Sequence, residues 1–188
     1  AYGIVSAARI ESQITFYENG VPLFSVPDEL TAEESVHPAL LQHPSPRSIL
    51  VIGGGPGGLV RECLKHPSVT AVHAVELDPA VLESARSLLP DEARSVFNDG
   101  AVTFHVDDGR RFLARTDSRF DAILVNLPEP ATVQLNRFYS VEFFRLAANR
   151  LNPGGVFSFS LPSSENRIGE EVSDILSAAK SGLSAAFP

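Results

Sequence analysis

The run Ile49-Leu50-Val51-Ile52-Gly53-Gly54-Gly55-Pro56-Gly57-Gly58, followed by Val75-Glu76-Leu77-Asp78, leaves this chain few ways to fold. A β-branched and aliphatic segment, Ser48 to Ile52, reads as a buried parallel strand. It runs into Gly53, Gly55 and Gly58, which fit Gly-x-Gly-x-x-Gly and permit backbone angles and close approaches that a Cβ would block. A helix is expected to begin near Gly57, with its free N–H groups and positive dipole end facing the turn. A second strand, Ala71 to Val75, delivers Glu76 at its carboxyl end. A carboxylate there can accept both hydroxyl protons of a ribose, so strand, turn, helix and acid together point to an adenosine-bearing ligand.

A chain of 188 residues is one domain, or one domain with a small appendage. Residues 1–46 read as a β-hairpin with a connecting segment, and 47–188 as a Rossmann-like nucleoside-binding domain. The formal net charge of −8 argues against a nucleic-acid surface and suits a small or cationic ligand. The one cysteine, Cys63, sits among Leu59, Val60 and Leu64 and reads as a small core residue. No 18-residue apolar run and no signal-peptide start occurs, and the expected compartment is cytoplasmic. The chain holds no methionine, even at position 1, and is expected to be an excised piece with its C-terminal strands cut away.

Asn19-Gly20 suits a two-residue hairpin turn between strands Gln13 to Glu18 and Val21 to Ser25. Asp28 to Leu41 reads as helical or irregular, and His43-Pro44-Ser45-Pro46 as a linker. From Ser48 onward strands and helices alternate, the pattern of a parallel sheet with helices on both faces. Asp78 and Pro79 start a helix whose apolar stripe is Val81, Leu82, Ala85, Leu88 and Leu89. Strands are expected at Val102 to Val106, Phe120 to Val125 and Val156 to Ser160, with Asn152-Pro153-Gly154-Gly155 turning into the last. Ser140 caps a helix bearing Phe143, Phe144 and Ala147, and Ile168, Val172, Ile175, Leu176 and Ala179 recur at helical spacing. Gly53 to Gly58, Glu76, Asp107-Asp108 and Asn126 to Glu129 end strands and are expected to line one crevice, since ligands bind at the carboxyl ends of such sheets. Asp107-Asp108 also suits capping of the helix that follows. No histidine pairs with other ligands at metal spacing, and no metal is expected.

The order of these motifs resembles the spermidine synthase (polyamine aminopropyltransferase) family, which has the S-adenosylmethionine-dependent methyltransferase fold. The resemblance runs through Gln13-Ile14, Asp28-Glu29, the Gly53 to Gly58 loop with Arg61-Glu62, Val75 to Asp78, Asp108-Gly109 and the Pro128 to Pro130 loop. It implies that Gly53, Gly55 and Gly58 cradle decarboxylated S-adenosylmethionine, that Glu76 binds its ribose, that Asp107 and Asp108 meet its adenine edge, and that Gln13 touches it from the hairpin. The implied chemistry is attack by an uncharged amine on the carbon beside a sulfonium, helped by carboxylates that bind a cationic polyamine and take its proton.

Three positions depart from the family. Pro56 stands where its glycine loop has Asp. Asn126-Leu127-Pro128-Glu129-Pro130 replaces Asp-x-x-Asp-Pro, whose first Asp is the family's general base, and an amide cannot accept that proton as a carboxylate can. Ala32-Glu33-Glu34 replaces Tyr-x-Glu. Asn126 and Glu129 are thus the candidate catalytic positions, with Glu34, Glu129 and Tyr139 the candidate amine-site residues. These changes, with Leu135-Asn136-Arg137-Phe138-Tyr139, resemble a divergent branch whose full-length chains often carry membrane segments. Three functions remain open: an aminopropyltransferase acting on a polyamine such as putrescine, a methyltransferase using intact S-adenosylmethionine, and a non-catalytic module binding S-adenosylmethionine or methylthioadenosine. A homodimer is expected.

Overall fold

The computed structural model describes residues 3–128, 132–161 and 170–187. Three N-terminal strands, β1 (Val5–Ile10), β2 (Gln13–Glu18) and β3 (Val21–Val26), form an antiparallel sheet. Asn19 and Gly20 make the β2–β3 turn with φ of 51° and 80°, the left-handed pair such a hairpin requires. Helix α1 (Glu29–Leu40) follows, capped by the Asp28 carboxylate, which accepts from Thr31 N.

The remaining elements alternate. They are β4 (Ser48–Ile52), α2 (Leu59–Leu64), β5 (Ala71–Glu76), α3 (Pro79–Leu88), α4 (Asp91–Arg94), β6 (Val102–Val106), α5 (Gly109–Arg115), β7 (Phe120–Val125), α6 (Val133–Asn136), α7 (Val141–Ala148), β8 (Leu151–Phe159) and α8 (Glu170–Ala186). All strand pairs from β4 onward are parallel, in the order β6-β5-β4-β7-β8. Strand order therefore reverses between β4 and β7, where an open α/β sheet forms its ligand crevice.

Side-chain alternation sorts the core into two layers. Ile49 and Val51 face α1 and α2 with Val36, Leu40, Val60 and Cys63. Leu50 and Ile52 face the opposite way, onto Leu113 of α5 and Phe143, Phe144 and Ala147 of α7. Helices thus cover both faces, as the alternation of elements predicts. Ile14, Phe16 and Val26 of the small sheet close over Ala85 and Leu89 at the end of α3.

Two boundaries differ from the sequence expectation. The second half of the glycine run is a 3-10 turn, Gly55–Gly57, and α2 starts only at Leu59, because Gly58 takes a φ of 116° that no helix continues through. β8 begins at Leu151 rather than Val156. Phe120 pairs with Leu151, and after a register shift Ala122 pairs with Val156, so the turn-forming Pro153-Gly154-Gly155 is absorbed as an irregularity, with Gly154 at φ 77°. Ile168 lies outside the described residues.

At the amino ends of the strands, Asp121 ties three segments together. Its carboxylate accepts from Arg47 N (2.7 Å), Ser48 N (3.1 Å) and Asn152 Nδ2 (2.8 Å). Burial alone would raise its pKa, but these donors and nearby His43 outweigh that and hold it below the ordinary carboxylate range. Asp121→Ala strands those donors and is expected to cost about 3 kcal/mol in chemical unfolding. Because the folded-state pKa is depressed, the wild-type contribution is complete above the unfolded value and fades as pH falls through the folded one. A midpoint unchanged by the substitution would refute the role.

β8 ends the sheet and, among the described residues, pairs only with β7. Phe157 and Phe159 lie under α7 and α8, while the uncharged run Val156-Phe157-Ser158-Phe159 leaves its outer backbone groups without a strand partner among the described residues. Such edges pair with other chains. The 188-residue chain is therefore expected to self-associate through β8. Sedimentation showing a monomer at high concentration would exclude this.

Candidate active site

The carboxyl ends of four adjacent strands are laced together by single backbone bonds. Asp107 N donates to Glu76 O (3.0 Å), Gly53 N to Val75 O (3.0 Å), and Asn126 N to Ile52 O (2.9 Å). The loops singled out by sequence, at Asp107, Glu76, Gly53 and Asn126, consequently stand side by side along one edge.

The glycines at its centre have separate reasons. A Cβ on Gly53, at φ 79°, would lie 2.5 Å from Asn126 O, and one on Gly54, at φ 66°, would overlap Asn126 Nδ2. These two let the β7 loop close against the turn. A Cβ on Gly55 would press on Ala74 at 3.1 Å, and one on Gly58 on the Ala32 Cβ at 3.2 Å. Pro56 is buried within the 3-10 turn. Gly54 falls outside the Gly-x-Gly-x-x-Gly pattern, so only its place in an unbroken triplet could have signalled its contact with Asn126.

On one flank stands Glu76. Its Oε1 accepts from Leu77 N at 2.9 Å. Burial pushes its pKa up to about 7; the Leu77 and Asp78 N–H groups oppose the rise, and the charges of Glu18 and Asp78 add to it. Beside it the two aspartates are already engaged. Asp107 accepts from Asp108 N (2.7 Å) and pairs with Arg111, while Asp108 caps α5 through Arg111 N (3.0 Å) and pairs with Arg137. The capping role expected of this pair thus belongs to Asp108.

On the other flank, between β3 and the glycine turn, is a cavity of about 240 Å³ whose lining includes Leu23, Phe24, Asp28, Ala32, Leu59 and Asn126. Asp28 is the sole ionisable group among its described lining residues, and Asn126 stands where the cavity meets Gly54. Gln13 sits behind this region, donating from Nε2 to Pro27 O at 2.9 Å. Pro27 in turn borders Gly55 to Gly58.

Two sequence candidates lie away from it. Glu34 is exposed on α1 and does not line the cavity, because α1 turns Asp28, Thr31 and Ala32 toward it instead. Tyr139 is buried in the core layer with Phe143 and Phe144, its ring edge-on to Phe159 at 5.6 Å. Glu129 lies outside the described residues. Sequence reading missed the cavity wall of Leu23 and Phe24, since an apolar strand residue looks the same whether it faces a core or a ligand.

Behind the turn, Glu33, His37 and Glu62 bring three potential ligand atoms within 4.8 Å of one another, a proximity that sequence spacing did not reveal. The Lys65 ammonium sits among them, 2.7 Å from Glu62 Oε2 and 3.8 Å from Glu33 Oε1. It supplies the counter-charge that fully buried Glu62 needs, and Glu62 raises its pKa in return. His37 links this carboxylate to His66, with Nε2 3.3 Å from Glu62 and Nδ1 2.9 Å from His66 Nε2.

A parallel sheet reversing at β4 and β7, a glycine turn at the reversal and an acid ending the next strand define an α/β domain of the Rossmann-like, methyltransferase-fold class. Residues 29–182 match the spermine/spermidine synthase domain, and the chain belongs to that family. It is 35% identical over 165 residues to a polyamine aminopropyltransferase from Leptospira interrogans, covering 86% of this chain and 33% of that protein. Identity to the Thermococcus onnurineus enzyme of that name is 39% over 137 residues, covering 73% of this chain and 48% of the relative. A spermidine synthase crystallised with the transition-state analogue AdoDATO superposes with a TM-score of 0.80 at 27% identity, over 98% of this chain and 65% of that one. Spermidine synthase from Thermotoga maritima gives 0.76 at 26%, over 98% and 64%. The chain thus spans between a third and two thirds of the length of these relatives.

Proposed function

We propose that this domain binds decarboxylated S-adenosylmethionine as co-substrate and transfers its aminopropyl group to a small amine such as putrescine. The observation that carries this reading is the glycine turn flanked by Glu76 on one side and, on the other, by a cavity holding one carboxylate and one amide. In this reading Gly53, Gly55 and Gly58 shape the cradle, Glu76 accepts the ribose hydroxyls, and Asp107 and Asp108 read the base, with Gln13 bracing Pro27. The acceptor's ammonium end sits at Asp28, its methylenes against Leu23 and Phe24, and its uncharged nitrogen near Asn126. That nitrogen forms a bond to the aminopropyl carbon as the carbon–sulfur bond breaks. Methylthioadenosine leaves with the electron pair, and Glu129 takes the proton in place of the absent aspartate. Glu34 and Tyr139, set back from the cavity, serve the site at most through their neighbours. In this reading the domain acts in the cytoplasm.

A second reading, a nucleoside-binding module without turnover, is favoured by Asn126 and Pro56, which withhold two carboxylates from the reacting end. Calorimetric titration with decarboxylated S-adenosylmethionine, S-adenosylmethionine and methylthioadenosine, followed by an assay of methylthioadenosine release with putrescine, separates these readings. Transfer predicts preference for the decarboxylated ligand and release. Tighter binding of intact S-adenosylmethionine would assign a methyltransferase, and binding without release a module. No binding would refute the nucleoside site.

A further inference from the structure

Arg137 follows the β7 loop, yet its guanidinium reaches across to the strand-end acid of β6, 29 residues earlier in the chain. It is held there on three sides. Nε donates to Gln134 O at 2.9 Å, the planar group lies 5.1 Å from the centre of the Phe138 ring, and an Nη pairs with Asp108 Oδ2. The other Asp108 oxygen accepts from Arg111 N at 3.0 Å and so caps α5. A second tie runs parallel to it: Arg110 of α5 donates to the carbonyl of Arg137 at 2.5 Å and to Ser140 Oγ at 3.4 Å. Asp108 is therefore a carboxylate whose rotation is stopped from both ends. Each of its oxygens keeps a second lone pair, so the pairing leaves it able to accept from a ligand.

We infer that Arg137 is a positioning residue for nucleobase selection, locking the Asp108 carboxylate so that it accepts a hydrogen bond from an amino group on the base edge and repels a carbonyl in the same place. The inference rests on the nucleoside site proposed above. An ion pair that merely braced the surface would contribute little, since exposed pairs are worth a fraction of a hydrogen bond and affect all ligands alike. A locked carboxylate instead discriminates between bases, because a misaligned acceptor loses the amino hydrogen bond and relaxes its repulsion of the carbonyl together.

The test measures the affinities of methylthioadenosine and 5′-methylthioinosine, which carry an amino group and a carbonyl at the same ring position, on the wild-type chain, Arg137→Gln and Arg137→Lys. The wild type is expected to prefer the amino ligand. Arg137→Gln is expected to cut that preference about tenfold, and Arg137→Lys, which keeps the charge but not the planar fork, about threefold. Thermal melts report which variants fold. A preference unchanged in whichever variant folds, or affinities for both ligands falling equally, would overturn the inference while leaving the nucleoside site intact. Wild-type binding of neither ligand would overturn the nucleoside site itself, and the inference with it.

Discussion

Glu76→Ala is expected to weaken methylthioadenosine binding by at least a hundredfold, about 3 kcal/mol, because it removes a pair of hydrogen bonds to one ionised acceptor. The wild-type effect carries a pH signature. Only the carboxylate can accept from both ribose hydroxyls, and burial has raised its pKa to about 7. Affinity should therefore climb through neutral pH and level off above it. The stability of the unliganded protein runs the other way. A raised folded-state pKa means that the contribution of Glu76 is complete below its ordinary unfolded value and is lost as pH rises through about 7. Ligand binding and fold stability thus respond oppositely to one proton. Glu76→Gln should flatten both profiles. Calorimetry at several pH values checks the first and thermal melting the second; a pH-independent wild-type affinity would remove Glu76 from the site.

The second large effect concerns the reacting end. Asn126→Asp with Pro56→Asp restores a base beside the cavity and an anionic contact in the glycine turn, and a positioned base contributes on the order of 10² to 10⁴ in rate. The geometry favours the first change, since the Asn126 side chain is already wedged against Gly54 and Asp has nearly the same shape. The second trades a ring buried in the 3-10 turn for a charge, so its gain depends on the ammonium it meets. Release of methylthioadenosine with putrescine is expected to rise in the double variant. Brisk turnover by the wild type with no gain in the variant would show that the site is not limited by the missing aspartates.

Where one stretch of chain decides an element, the sequence was enough. The Asn19-Gly20 turn, the Asp78-Pro79 helix start, the Ser140 cap and strands β4 to β7 follow from local patterns that the packing reinforces. β8 did not, because its early start depends on Phe120 recruiting Leu151 from across the sheet. The site divides in the same way. The places of Glu76 and the glycines at the strand ends were readable because they are written in consecutive residues. The hold of Arg137 on Asp108 and the cavity wall at Leu23 and Phe24 are products of assembly, with no local mark. Glu34 could not be placed from sequence either: a motif position carried over by resemblance names a stretch of chain, whereas the fold decides that Asp28, Thr31 and Ala32, and not Glu34, line the cavity.

Cys63 is the one thiol of the chain, fully buried between α2 and the sheet, with a pKa driven far above the ordinary thiol range by burial and by the charge of Glu62. In the closed protein it is neither reachable nor ionised, so a thiol reagent can consume it only while that layer of the core is open. The rate of its labelling is therefore a built-in clock for core opening. It needs no introduced probe, and any slowing by a nucleoside would give the fraction of that opening which the ligand suppresses.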